Sequence, residues 1–212
     1  MIANYARLTG AGCLFALVML GLPGCGVLQT PARAVVYDFG PGAVVSPAAS
    51  AGTPLPVLVL ADVESPAALD TTAVLYRLNY SDAQQLRPYA QARWSMPPAQ
   101  LVRQRMRETL GQQRAVLPQA DGVAPRAAAL TLRVALEEFS QLFEAADRST
   151  GLVRVRATLS QGGAGGEQLV AQRSFVVQRE SVSADAAGGV RALTVATDAV
   201  IADIDQWVRQ VP

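Results

Sequence analysis

The order of apolar and polar positions divides the chain into a short series of elements. Residues 57–63, Val-Leu-Val-Leu-Ala-Asp-Val, form a nearly unbroken apolar run, as expected of a central strand buried on both faces. Residues 34–39 and 72–80 are also strand-like. In the second of these, Val74, Tyr76 and Leu78 fall on one face and Leu75 and Arg77 on the other. Residues 86–94 read as a shorter edge strand, because Pro88 has no N–H to give a neighbour. Leu130, Leu132, Val134 and Leu136 alternate with Thr131, Arg133 and Ala135. Glu137-Glu138 breaks that alternation and Phe139 restarts it, which predicts a β-bulge. Val153, Val155, Ala157 and Leu159 alternate in the same way, and residues 169–178 add a further strand. These last three strands form a predicted meander, with turns near 147–151 and at the glycine run 162–166.

Two stretches carry a helical period instead. Pro97-Pro98 opens the first, since proline is tolerated in a first turn. Leu101, Val102, Met106 and Leu110 form its stripe, and Gly111 stops it. The second runs over 187–209. Val190, Leu193, Thr197, Val200, Ile201, Ile204 and Val208 line one face, with Trp207 beside them. Residues 40–56, rich in Gly, Pro, Ala and Ser, predict a loop. The expected fold class is α/β: a single-domain sandwich over 34–212, with a mixed β-sheet and flanking helices.

The first residues follow a different pattern. Residues 11–22 are almost continuously apolar, yet fall well short of the ~20 needed to span a bilayer. They end at Leu22-Pro23-Gly24-Cys25, which resembles the bacterial lipobox. The expectation is that 1–24 is a lipoprotein signal peptide, that Cys25 becomes the lipidated first residue, and that 25–33 is a tether. By resemblance to enterobacterial lipoprotein sorting, in which an aspartate after the cysteine favours the inner membrane, Gly26 implies the outer membrane, periplasmic face. Several acyl chains on one residue hold a domain to a membrane almost permanently, at about 0.8 kcal/mol per buried methylene.

Composition then removes chemistry. Half of the 212 residues are apolar, and the 18 basic side chains, all arginine, face 17 acidic ones. No histidine or lysine occurs, so a histidine base or metal ligand, a P-loop lysine and a Schiff-base lysine are all excluded. Loss of 1–24 removes Arg7 and Cys13 and leaves a neutral chain with Cys25 as its one cysteine. A neutral chain does not suit a nucleic-acid binder. The glycine run 162–166 lacks the lysine of a phosphate loop and joins two strands, so it reads as a hairpin turn. Glu137 and Glu138 are adjacent on a strand and point apart. Arg103, Arg105 and Arg107 either bind anionic partners or form the solvated face of the first helix; the second reading is preferred. No catalytic, cofactor-binding or metal residue is assigned.

The run Arg93-Trp-Ser-Met-Pro-Pro-Ala-Gln-Leu101, with Val74-Leu-Tyr-Arg77, Leu132-x-Val-x-Leu-Glu-Glu-Phe139 and Phe143, resembles the ABC-type transport auxiliary lipoproteins, which include the PqiC lipoproteins. The resemblance covers roughly 37–210. It implies a non-catalytic lipoprotein under the outer membrane that docks an MCE-domain protein of an ABC transporter moving phospholipid or other hydrophobic cargo. It also implies homo-oligomeric rings and a fold of the anticodon-binding-domain type. Within it, Trp94, Met96, Pro97 and Pro98 are a candidate partner surface. Alternatively, Trp94 caps the core and the prolines merely start a helix. The rival function is an envelope assembly factor, such as a lipoprotein activator of a cell-wall synthase. That would call for a long tether, whereas about ten residues separate Cys25 from the first strand.

Overall fold

The computed structural model describes residues 33–42, 55–119, 129–163 and 166–211, all within one compact unit beginning at Arg33. Eight strands and two helices follow in the order β1 (Val35–Tyr37), β2 (Leu55–Glu64), β3 (Ala73–Leu78), β4 (Asp82–Trp94), α1 (Pro98–Leu110), β5 (Arg114–Pro118), β6 (Leu130–Ala145), β7 (Arg148–Gly163), β8 (Gly166–Glu180) and α2 (Ala186–Gln210). The strands form one mixed sheet, so the fold is the α/β class that the sequence pattern predicts.

The sheet is organised on β6. One of its edges pairs antiparallel with β7 along nearly the whole strand, from Leu130 opposite Gln161 to Ala145 opposite Arg148. The other edge is divided. Its first half pairs parallel with β2, through Leu58 opposite Leu130 to Glu64 opposite Ala135, and its second half pairs parallel with β3 at Gln141–Phe143. The sheet therefore forks. One branch ends at β5 on β2, and the other continues through β4 to β1. The predicted bulge sits near the fork: the β6–β7 register shifts between Leu136 and Glu138, which leaves Glu137 as the extra residue. Glu137 pairs with Arg156 on β7 at 2.7 Å and Glu138 with Arg77 on β3 at 3.0 Å. The two carboxylates are thus committed to different strands.

Alternation decides which face is covered. Leu132, Val134, Leu136 and Phe139 of β6 join Val153, Val155, Ala157 and Leu159 of β7 and Phe175 and Val177 of β8 in one core. The α1 stripe, Leu101, Val102, Met106 and Leu110, closes over the β2 side, and the α2 stripe closes over β7 and β8. Among the described residues this core draws on nothing before Tyr37.

Several bounds differ from the sequence expectation for local reasons. β4 starts at Asp82 and runs 13 residues. β1 covers it only at Ala92–Trp94, so Pro88 lies on a bare edge where its missing N–H costs nothing. β5, five residues between Gln113 and Gln119, is not anticipated; it is too short to show a period and ends at Pro118. β2 takes in Leu55 and Pro56 from the expected loop. Gly163 pairs with Gly166, whose φ is +108°, so the glycine run is a hairpin. Gly111 ends α1 in a right-handed conformation, at φ −64°.

Helix α2 approaches the sheet closely at two glycines, Gly151 and Gly189. A β-carbon on Gly151 would stand 2.7 Å from the Leu193 nitrogen and 2.8 Å from the Ala192 carbonyl carbon, both rigid backbone. A β-carbon on Gly189 would meet the amide of Gln141, whose oxygen accepts from the Tyr89 hydroxyl at 2.8 Å and whose nitrogen donates to the Ser149 hydroxyl at 2.7 Å. The helix is capped by Asp185, whose carboxylate accepts from the Gly188 N–H at 2.7 Å and the Ser183 hydroxyl at 2.8 Å. The Gly188 bond, with Ser183 after it, holds the Asp185 carboxyl below the ordinary aspartate range. A depressed carboxyl stabilises the fold above its unfolded pKa, and that stability is lost as pH falls through the folded value.

Two outcomes follow for chemical denaturation of the domain. Gly151→Ala should cost about 1–3 kcal/mol, because neither backbone atom can move aside; unchanged stability would refute the close approach. Asp185→Ala should cost about 1 kcal/mol near neutral pH, and the difference from wild type should shrink below the aspartate range. A difference constant down to pH ~2 would show that the carboxylate is not the cap.

Candidate functional site

The described residues nearest in sequence to Cys25, Arg33 and Ala34, lead directly into β1 and the turn after it. A three-residue parallel pairing is weak on its own. Three further contacts hold this segment. The Ser95 N–H donates to the Tyr37 carbonyl at 2.7 Å. The Phe39 ring is buried against Trp94, edge to face at 5.6 Å, and against Phe139 at 6.1 Å, while Trp94 and Phe139 stand 5.6 Å apart. Such aromatic pairs add about 0.5–1.5 kcal/mol each beyond burial.

The third contact is Arg105 of α1, which is only 4% exposed. Its Nη2 donates to the carbonyl of Phe39 and, at 3.3 Å, to that of Gly40. Its Nε faces an Asp198 oxygen of α2 at 3.5 Å, and the guanidinium carbon lies 6.0 Å from the Phe39 ring centre. The carbonyls and the carboxylate together offset the cost of burying the cation. Burial pushes the Asp198 carboxyl above its ordinary range, with Arg105 opposing the shift and Glu108 adding to it. The chain bends round the guanidinium through Gly40 at φ +66° and Gly42 at φ +68°. A β-carbon on Gly42 would collide with Arg105 Nη1, so both backbone hand and space require glycine there. A cavity of about 240 Å³ opens beside this clamp, between Asp38 and Phe39 on one side and Met96, Leu101 and Glu108 on the other.

The sequence candidates separate accordingly. Trp94 is 2% exposed within the aromatic cluster, and Pro98 is buried in the first turn of α1. Both serve the core and the helix start. Met96 and Pro97 are half-buried, and Met96 lines the cavity. Cys25 lies outside the described residues. Of the three arginines read as a solvated helix face, Arg103 pairs with Asp62 at 2.8 Å and Arg107 is exposed, but Arg105 is the buried clamp. That reading is corrected for Arg105. The signal was present: Arg105 stands four residues after Leu101, on the buried side of the helix.

Elsewhere on the sheet, charge is balanced through the pairs Arg77–Glu138, Arg156–Glu137 and Arg133–Glu167. Among the described residues no three His, Cys, Asp or Glu side chains gather to hold a metal ion, and no helix is long and apolar enough to cross a membrane.

Arg105→Gln should therefore free the β1 segment at a cost of about 2–3 kcal/mol. The Ser95 amide, whose acceptor is Tyr37, should exchange its hydrogen faster than the amides of β6. Unchanged Ser95 protection in a folded variant would show that Arg105 does not hold the segment.

Comparison with known proteins agrees on the fold. A family model described as the ABC-type transport auxiliary lipoprotein component matches residues 37–205. The Xanthomonas campestris protein XCC0632, of the DUF330 family model, shares 17% identity at a TM-score of 0.62, covering 82% of this chain and 94% of its own. The Chlamydia trachomatis hypothetical protein CT253 shares 10% identity at 0.51, covering 74% of this chain and 96% of its own. Likeness at these identities shows a common fold. No curated protein matches the chain.

Proposed function

The chain belongs to the ABC-type transport auxiliary lipoprotein family, and from that premise we propose that it is the lipid-anchored, non-catalytic docking component of an envelope transporter. The family match over 37–205 carries this reading. Lipid on Cys25 holds the domain at the periplasmic face of the outer membrane, after removal of residues 1–24 and on the tether 25–33. The partner is an MCE-domain protein of the transporter, the cargo is phospholipid or another hydrophobic molecule, and copies of the chain assemble as a ring. The β1 clamp supports the anchoring part of the proposal. A tether transmits position only if it enters a fixed strand, and Arg105, Phe39 and Trp94 fix that strand. In this reading Met96 and Pro97 are the accessible part of the partner surface, with Trp94 and Pro98 supporting them from beneath.

The test has two arms. Cys25→Ser should abolish incorporation of labelled palmitate and release the protein from membranes; label retained in that variant would contradict the anchor. The lipidated chain in detergent should retain the MCE-domain protein encoded beside it, and Met96→Glu should weaken that binding roughly tenfold while leaving the fold intact. Absence of binding by the wild-type chain would contradict the docking role.

A further inference from the structure

A second cavity, of about 290 Å³, lies where β2 and β6 begin and α2 ends. Leu55 and Val57 of β2, Leu130 of β6, and Val208 and Val211 at the end of α2 supply apolar walls. All of these except Val208 are only half-buried, so the cavity leaves apolar surface uncovered.

The charged member of the wall is Arg114, the first residue of β5, whose side chain is 4% exposed. Its Nη2 donates to Asp205 Oδ1 at 2.8 Å, but its Nε is buried without a partner. Asp205 also accepts from Arg209, which lines the same cavity. Two guanidinium groups therefore share one carboxylate: Arg209 is exposed to water, while buried Arg114 keeps one N–H without an acceptor beside the apolar walls. Arginine cannot relieve this by losing its proton. A buried charged donor left unsatisfied is costly, and an anion of matching shape would remove the cost.

We infer that this cavity binds a fatty carboxylate, with its headgroup on Arg114 and its acyl chain along the leucine and valine walls. A carboxylate matches the planar guanidinium fork and supplies the acceptor that is missing. The volume equals about ten waters at ~30 Å³ each, enough for one acyl chain of about ten methylenes and too small for a two-chain phospholipid. The site shares no residue with the clamp or with the proposed partner surface. It stands on its own chemistry, and its failure would leave the docking proposal untouched.

Calorimetric titration of residues 26–212, which contain the whole compact unit beginning at Arg33, with dodecanoate below its micelle concentration tests the site. Saturable single-site binding is expected, with dodecanol and dodecyltrimethylammonium at least about tenfold weaker. The triple change Arg114→Gln, Asp205→Asn and Arg209→Gln removes all three charges together and leaves the site neutral. It should weaken dodecanoate about tenfold and leave dodecanol unchanged. Should that variant not fold, Val211→Trp fills the cavity and should block dodecanoate. The inference is overturned if wild type shows no saturable binding, if dodecanol binds as tightly as dodecanoate, if dodecyl phosphate binds more tightly than either, or if the folded variants bind dodecanoate as wild type does.

Discussion

Both edges of β6 carry partner strands, one edge along nearly its whole length and the other in two separate halves, and that constraint shapes the rest of the molecule. Buried backbone groups must find partners, and a 16-residue strand in the middle of a core has many to satisfy. β7 satisfies one edge continuously, while β2 and β3 divide the other between them. Two strands ending and starting on one edge cannot share a single straight register. The extra residue at Glu137 falls beside that junction, and the ion pairs from Glu137 and Glu138 tie its two sides to β7 and β3. The fork then fixes where everything else lies. α1 packs beside the β2 branch, α2 lies across the meander, and the β3–β4 branch carries β1 at its far end.

β1 is consequently the most remote strand and the one with the fewest ladder bonds. Its position depends on side chains instead of backbone pairing: the Phe39–Trp94–Phe139 cluster and the grip of Arg105 on two carbonyls. A contact built this way is local and breakable. It is also the place where a tether from Cys25 would enter the domain. The transport proposal thus gives a physical role to a buried arginine that packing alone would not call for, since replacing a buried charge by an apolar side chain is often neutral.

Much of the fold was legible from residues because the core is one-sided. Apolar residues at every second position of β6 and β7 mark the covered face, and the break at Glu137-Glu138 marks the bulge. The α2 stripe from Val190 to Val208 was equally plain. β5 was not legible, since five residues ending in proline carry no period. The clamp was missed because arginine on a helix normally faces water, and nothing local records that Phe39, 66 residues earlier, supplies its acceptor. Asp205 and Arg114 are 91 residues apart and meet only through the fold, so the second cavity left no mark in the sequence either. The aromatic at Trp94 was visible as a feature, but burial, which only the fold decides, places it in the core.

In the proposed arrangement a lipid at Cys25, a short tether and a fixed first strand hold the domain beside the membrane. Ten residues at ~3.5 Å each reach no more than about 35 Å. Neutron reflectometry of the full lipidated chain on a supported bilayer measures that separation directly. A dense protein layer beginning within about 35 Å of the membrane surface is the predicted profile. A layer standing farther off, or no protein retained on the bilayer, would contradict the claim.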